Sequence, residues 1–512
     1  MSDTDLDMND LDQNDIGRIM RASCAISPQS NAIELDGQWY DWAFVAETVE
    51  KIEGILDAHG VPKDAEVALL CRNKPHQVAA FCAVICSGRC VTPINPFSAQ
   101  NKVVADLQDL DAAVVIASEA DWQSTALQSY VDENNALAIS LDGSRSKDHI
   151  LVRNPESQIT ASRFSRLRPG VAVLIQSSGT TGKPKRIPIG ASNLSAAYNN
   201  IPAGVISTEK SKVKTKPALI TQPLVHIGGL FWVVNSLLEA RPISLLEKFD
   251  VQKWATAVEQ YQIRVCSLVP AMINMVLESD LASEKLASLI CIRSGTAPLP
   301  AETQATFEQR FSVPILPTYG ATEFSGAVCG WTMPLKKQFG DSKVGSVGKA
   351  YDGVDLRIVD RSSGEPLPIG ETGILQVRSS QMMEGDSWVA TTDLADIDAD
   401  DFIWLRGRAD SAINRGGFKI IPTEVAGILE KNELVKEAVV VGIDDARLGQ
   451  VPVAAVELID NTAAISEESL RAWAKENMTS YFVPVRIAVV DQLPRTPSMK
   501  VSQAEVKRLF ES

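Results

Sequence analysis

Between Val45 and Ala117 the chain alternates helix-spaced and strand-like apolar segments, and this alternation leaves few folds open. Val45, Val49, Ile52 and Leu56 recur at helical spacing, and Gly60 follows as a stop. Residues 66–71 form a short apolar run that reads as a strand. Residues 76–87 are helical again and end at Gly88, and 91–95 and 112–117 read as buried strands. Strand and helix in alternation predict parallel βαβ units and an α/β fold. No repeat at solenoid periods interrupts the pattern. These segments read as scaffold.

With 512 residues the chain has room for more than one domain. Around residues 345–405 its character changes. Short β-rich runs at 356–359 and 373–377 flank a Gly/Pro-rich turn at 364–370, as a separate β subregion would. After Asp410 comes about one small domain's length of chain. It holds helix signals at 424–431 and 468–477 and strand signals at 438–441, 453–458 and 486–490. The expected division is an acidic, disordered tail at 1–15, a large N-terminal domain at 16–409 and a small α+β lid at 410–512.

Composition excludes several functions. The first 15 residues carry six Asp and no Lys or Arg, the reverse of a secretory or transit leader. The formal charge of −15 disfavours nucleic acid and anionic membranes as partners. No apolar run is long enough to span a bilayer. The eight Cys form no CxxC pair, so zinc is not expected, and free thiols suit a reducing cytoplasm. Cys82, Cys86 and Cys90 are evenly spaced, but Gly88 is expected to end their helix before Cys90. Four His are too few for a multi-His metal site or an obvious Ser-His-Asp hydrolase.

The chemistry begins at SSGTTGKPK, residues 177–185, directly after the apolar strand 171–175. Gly179 and Gly182 let a ligand approach the backbone. Ser177, Ser178, Thr180 and Thr181 offer hydroxyl donors, and Lys183, Lys185 and Arg186 offer charge. Together they suit a polyphosphate. The spacing is not that of a Walker loop.

This loop is the first of seven motifs that follow in order. The others are PLVHIGGL at 223–230, SGTAPLP at 294–300, YGATE at 319–323, TTD at 391–393, GRADSAINRGGFKI at 407–420 and LPRTPSMK at 493–500. In this set, over nearly its whole length, the chain resembles the adenylate-forming superfamily: acyl- and aryl-CoA ligases, peptide-synthetase adenylation domains and firefly luciferase. The resemblance implies ATP, Mg²⁺ and coenzyme A as cofactors and a carboxylic acid as substrate. It implies that Glu323 ligates the metal, that Thr322 bonds the α-phosphate and that Tyr319 and Gly320 flank adenine. Gly295, Thr296, Ala297 and Pro298 would line the other adenine face. Asp393 would accept from the ribose hydroxyls, with Arg408 on ribose or phosphate. Lys500 would serve adenylation, Asp410 would be the hinge, and Gly416, Gly417 and Lys419 would meet CoA. His226, Gly229, Phe231, Gly320 and Gly326 would line the acyl pocket.

The residues after His226 include no carboxylate to pair a substrate ammonium, so an apolar acyl or aryl group is favoured over an α-amino acid. Lys183, Lys185, Arg186, Arg408, Arg415, Lys419 and Lys500 are expected to converge on the anionic ligands. Three departures stand out. Thr392 replaces the usual Gly before the ribose Asp, Arg186 a common Gly, and Met499 the Gly before the catalytic Lys. Lys500 itself lies in a Pro/Ser-rich loop, where a solvated surface charge is the plain reading. The expected reaction forms acyl-AMP and pyrophosphate, then acyl-CoA and AMP. Loading of a carrier protein's phosphopantetheine and a catalytically dead nucleotide-binding homologue remain alternatives. No carrier segment follows Ser512. Homo-oligomerisation is left open.

Overall fold

The computed structural model describes residues 16–143, 149–156, 159, 161–164, 166–177, 185–200, 212–409, 411–415, 418–445, 447–459, 465–496 and 499–511. The acidic segment 1–15 lies outside the described residues.

The alternation becomes a seven-stranded sheet. Its order is Ile150–Val152, Leu137–Leu141, Val114–Ser118, Glu66–Leu70, Cys90–Ile94, Val171–Ser177 and Lys185–Gly190. The five inner strands run parallel and both edges antiparallel. The helix Trp42–Ala58 starts where the Asp41 side chain accepts from Phe44 N at 2.8 Å. Pro75 opens the helix Pro75–Cys86, where its missing N–H costs nothing. That helix is buried almost all round, which explains its weak amphipathic pattern. Cys82 and Cys86 share a face of it with sulfurs 3.7 Å apart, whereas Cys90 has passed into the next strand.

A second sheet sets the site. Val265–Ser267, Cys291–Ser294 and Ile315–Ala321 run parallel, and Gly326–Gly330 and Lys349–Ala350 continue antiparallel. A smaller sheet joins Ala218–Ile220, Ile243–Leu245, Asn31–Leu35 and Gln38–Asp41. The Gly/Pro-rich turn leads into a fully antiparallel sheet of Val354–Val359, Gly373–Ser379, Val389–Ile397 and Ile403–Arg408.

The C-terminal part has its own sheet, built on the long hairpin Val435–Asp445 and Gly449–Leu458. Helices Pro422–Leu429 and Glu467–Asn477 pack their apolar faces on it around Val425, Leu429, Leu470 and Ala474. The whole is a mixed α/β fold with a large N-terminal and a small C-terminal domain. Lys436 ties the two, with Nζ 2.6 Å from Glu278 Oε1 and 2.9 Å from Glu457 Oε1. Among the described residues no helix is long and apolar enough to cross a membrane.

Candidate active site

Four chain segments meet at the C-terminal ends of the parallel strands, where open α/β sheets bind ligands. Tyr319 ends strand Ile315–Ala321 and is 9% exposed, so little but its hydroxyl edge remains polar. That hydroxyl donates to Asp393 Oδ2 at 2.5 Å. Burial first, and then the Asp393 carboxylate, push the phenol well above its usual pKa, so it stays a donor. Asp393 lies directly across the strand pair from Arg408. A carboxylate, a phenol and a guanidinium thus occupy one corner.

Two threonines hold that corner. Thr391 Oγ1 donates to Leu375 O at 2.9 Å and accepts from Asp393 N at 3.0 Å. Arg408 donates from Nη2 to Thr392 Oγ1 at 2.5 Å. The Thr392 departure therefore has a local use: its hydroxyl orients the guanidinium beside Asp393. Sequence reasoning missed this because the bond crosses two strands of the antiparallel sheet.

Glu323 and Thr322 sit in the single turn Thr322–Phe324 between two strands, with Glu323 exposed. The fully buried Gln381 pins the turn, donating to Phe324 O at 2.8 Å and Ala327 O at 3.1 Å. Gly295 cannot carry a side chain, because a Cβ there would fall 2.7 Å from Thr318 Oγ1. Thr296 follows at φ +73°, a left-handed backbone that costs a non-glycine residue strain. Thr296, Ala297 and Pro298 are exposed at the strand end.

His226 caps the helix Ile227–Leu238 through backbone only. Asn73 fixes the approach to it, donating to Gln222 O and Leu246 O at 3.0 Å each and accepting from Leu224 N. His226 Nε2 is out of solvent and unpaired among the described residues. Burial, and then Lys500, lower the imidazole pKa to about 4, so the ring is neutral near pH 7. Phe231, one turn on, lies against Gly326, whose Cβ position is 3.2 Å from the ring. A Cβ on Gly320 would collide with Gly326 O. Gly229 corrects its expected role. Its missing side chain faces the Gln222 and Pro223 carbonyls, so its smallness serves helix packing rather than the pocket.

Lys500 also corrects the surface-charge reading. The C-terminal domain lays it, partly buried, beside His226, Arg408, Glu323 and Asp393. Burial first, and then Arg408, hold its pKa below the ordinary lysine value against the opposing pull of Glu323 and Asp393. A tight turn presents it, with Met499 N donating to Thr496 O at 2.8 Å and Thr496 N to Lys500 O at 2.7 Å. Met499 takes φ +64° and packs its side chain on the Trp254–Phe307 core of the large domain. Glycine would adopt that angle freely, and methionine exchanges some strain for contact between domains.

The expected convergence of cations holds only in part. Arg408 and Lys500 reach the site. Arg186 instead donates to Asp106 O at 2.9 Å and faces Asp109, and Arg415 donates to Tyr481 O at 2.7 Å. Both guanidiniums are drawn to oxygens of nearby chain. Residues 178–184, Asp410, Gly416 and Gly417 lie outside the described residues, as do the side chains of Ser177 and Lys419.

A sequence profile described as AMP-binding enzyme matches residues 20–385. The chain belongs to the AMP-binding enzyme family. The C-terminal domain profile of AMP-binding enzymes matches residues 424–500 as well. Among relatives of this AMP-binding enzyme is a 2-succinylbenzoate–CoA ligase of Bacillus velezensis, 28% identical over 87% of this chain and 88% of that one. Another is 4-coumarate–CoA ligase 2 of Nicotiana tabacum, 25% identical over 92% and 89%. ATP-bound MatB from Rhodopseudomonas palustris superposes with a TM-score of 0.81 at 22% identity, covering 98% of this chain and 99% of that one. The amide bond synthetase McbA from Marinactinospora thermotolerans does so at 0.78 and 22%, covering 98% and 100%. These two likenesses establish the fold.

Proposed function

We propose that this AMP-binding enzyme is an acid–thiol ligase that activates a carboxylic acid with a mainly apolar acyl or aryl body. The acid's carboxylate attacks the α-phosphorus of ATP, giving acyl-AMP and pyrophosphate. The thiol of CoA then attacks the acyl carbon, giving the thioester and AMP. The observation that carries the reading is the single cleft in which Lys500 and neutral His226 meet the Tyr319–Asp393–Arg408 corner. The CoA ligases among the relatives favour the thiol acceptor.

Each residue then has a task. Asp393 accepts from the ribose hydroxyls, and Tyr319 and Thr296–Pro298 bound adenine. Gly179 and Gly182 with Ser177, Ser178, Thr180, Thr181 and Lys183 cradle the phosphates, and Thr322 bonds the α-phosphate. Lys500 neutralises charge gathered between carboxylate and α-phosphate, where positioning matters more than acid–base chemistry. His226 offers its unpaired Nε2 to the substrate carboxylate. Glu323 is exposed and forms no ion pair or hydrogen bond among the described residues, which suits one carboxylate of a mostly phosphate-held Mg²⁺. When bound, Mg²⁺ would supply charge neutralisation on the phosphates. A turn of the C-terminal domain about Asp410 would exchange Lys500 for Gly416, Gly417 and Lys419 on the CoA side. A cytoplasmic location completes the proposal.

Pyrophosphate release is the test. It should require ATP, Mg²⁺ and a carboxylic acid, and CoA should accelerate AMP turnover. ADP and phosphate as products would refute the reading.

A further inference from the structure

Strand Cys291–Ser294 carries an arginine at its ligand-facing end. Arg293 is 6% exposed. Its Nη1 donates to the Tyr351 hydroxyl at 3.2 Å, and its Nε has no partner. No carboxylate pairs with it among the described residues. A guanidinium cannot shed its proton, so the charge stays buried and uncompensated. Such an arrangement is strongly unfavourable unless an anion completes it.

The register places it in the cleft. Arg293 pairs with Leu316 in the parallel sheet. Side chains alternate along a strand, so Leu316, Thr318 and Gly320 share the face on which Arg293 stands. Tyr351 Oη, its one partner, crowds the Cβ positions of Gly330 and so lies beside Thr318. Gly320 leads to Gly326, and Gly326 to the Phe231 ring.

The helix Ile227–Leu238 supplies a second, independent orphan. Leu230, Val233, Val234, Leu237 and Leu238 turn into the main core. Phe231 and Asn235 lie one turn apart on the opposite face. Asn235 is 3% exposed, yet neither its amide nitrogen nor its oxygen has a partner among the described residues. A buried amide left wholly unpaired costs stability that an apolar residue would not.

We propose that Arg293 is a specificity residue that binds a second anionic group, a distal carboxylate, on the acid this enzyme adenylates, with Asn235 as its neutral helper. The proposal rests on the ligase reading. The carboxylate near His226 and Lys500 is the one activated, and the one on Arg293 anchors the far end. An acid lacking the distal group would leave Arg293 unpaired in the complex, which is how a buried polar site rejects an analogue.

The experiment compares two acids by pyrophosphate release: a phenyl-substituted monoacid and the same molecule with a ring carboxylate. Wild type should prefer the diacid by at least about a hundredfold in kcat/KM. Arg293→Met should lose about that factor on the diacid and little on the monoacid. Arg293→Lys should recover part of it. Because methionine removes an uncompensated buried charge, the free Arg293→Met protein should melt no lower than wild type, and diacid with AMP should no longer raise its Tm as it does for wild type. Equal losses on both acids, or a wild-type preference for the monoacid, overturn the proposal while the ligase reading stands. Absence of pyrophosphate with either acid removes the ligase reading and the proposal with it.

Discussion

Replacing Lys500 with alanine separates the two half-reactions. In the free protein the ammonium is partly buried, and burial together with Arg408 outweighs the attraction of Glu323 and Asp393. Its charged form is therefore less comfortable folded than in water. Lys500→Ala should accordingly cost little stability, and urea unfolding should show a change within about 1 kcal/mol. Catalysis differs because the substrates bring the missing anions. A unit charge about 4 Å from another is worth ~4 kcal/mol at an effective dielectric near 20. Losing it should slow adenylation roughly a thousandfold. The assay is pyrophosphate release for the first step and thioester formation from synthetic acyl-adenylate and CoA for the second. The variant should fail the first and keep a near wild-type rate in the second, where the C-terminal domain has turned Lys500 away. Only the protonated amine helps, so wild-type adenylation should fall as pH rises through a pKa lower than an ordinary lysine's. Equal losses in both half-reactions would refute the two-orientation mechanism, and no loss in either would make Lys500 a bystander.

Asp410→Pro should leave adenylation measurable and block thioester formation, since proline fixes φ at the proposed hinge; equal damage to both steps, read by the same two assays, points to misfolding instead. His226 has a folded pKa of about 4 against an ordinary value of about 6.5, so its stabilising contribution is complete above pH 6.5 and is lost as pH falls toward 4. His226→Asn should flatten that slope by up to about 3 kcal/mol in denaturant titrations between pH 7 and 4. Gln381→Leu should loosen the Glu323 turn by leaving two carbonyls unpaired, costing about 1–3 kcal/mol in urea unfolding and raising the Mg²⁺ concentration needed for half-maximal pyrophosphate release. Met499→Gly relieves the left-handed strain but removes a contact between domains, and should speed thioester formation from acyl-adenylate relative to pyrophosphate release in paired half-reaction assays.

What the sequence determined by itself was whatever depends on near neighbours in the chain. The alternation of periods 3.6 and 2 forced parallel strands, because only a crossover helix joins such strands. Strand 66–70 and helix 75–86 appear within a residue or two of expectation for that reason. Motif order was equally legible, since the residue types that suit phosphate, ribose and hinge stand in short local runs. Contacts made across the fold were not. That Arg186 and Arg415 spend their charge on nearby oxygens, while Arg408 is held by Thr392, depends on which strands pair. That Gly229 packs on a turn rather than opening a pocket depends on the pose of one helix. The burial of Lys500 needed two domains docked face to face, and a charge in a Pro/Ser loop carries no local sign of that. Arg293 makes the point most sharply. In the sequence it is one more basic residue beside a motif, and only the tertiary structure removes water from it without giving it a partner.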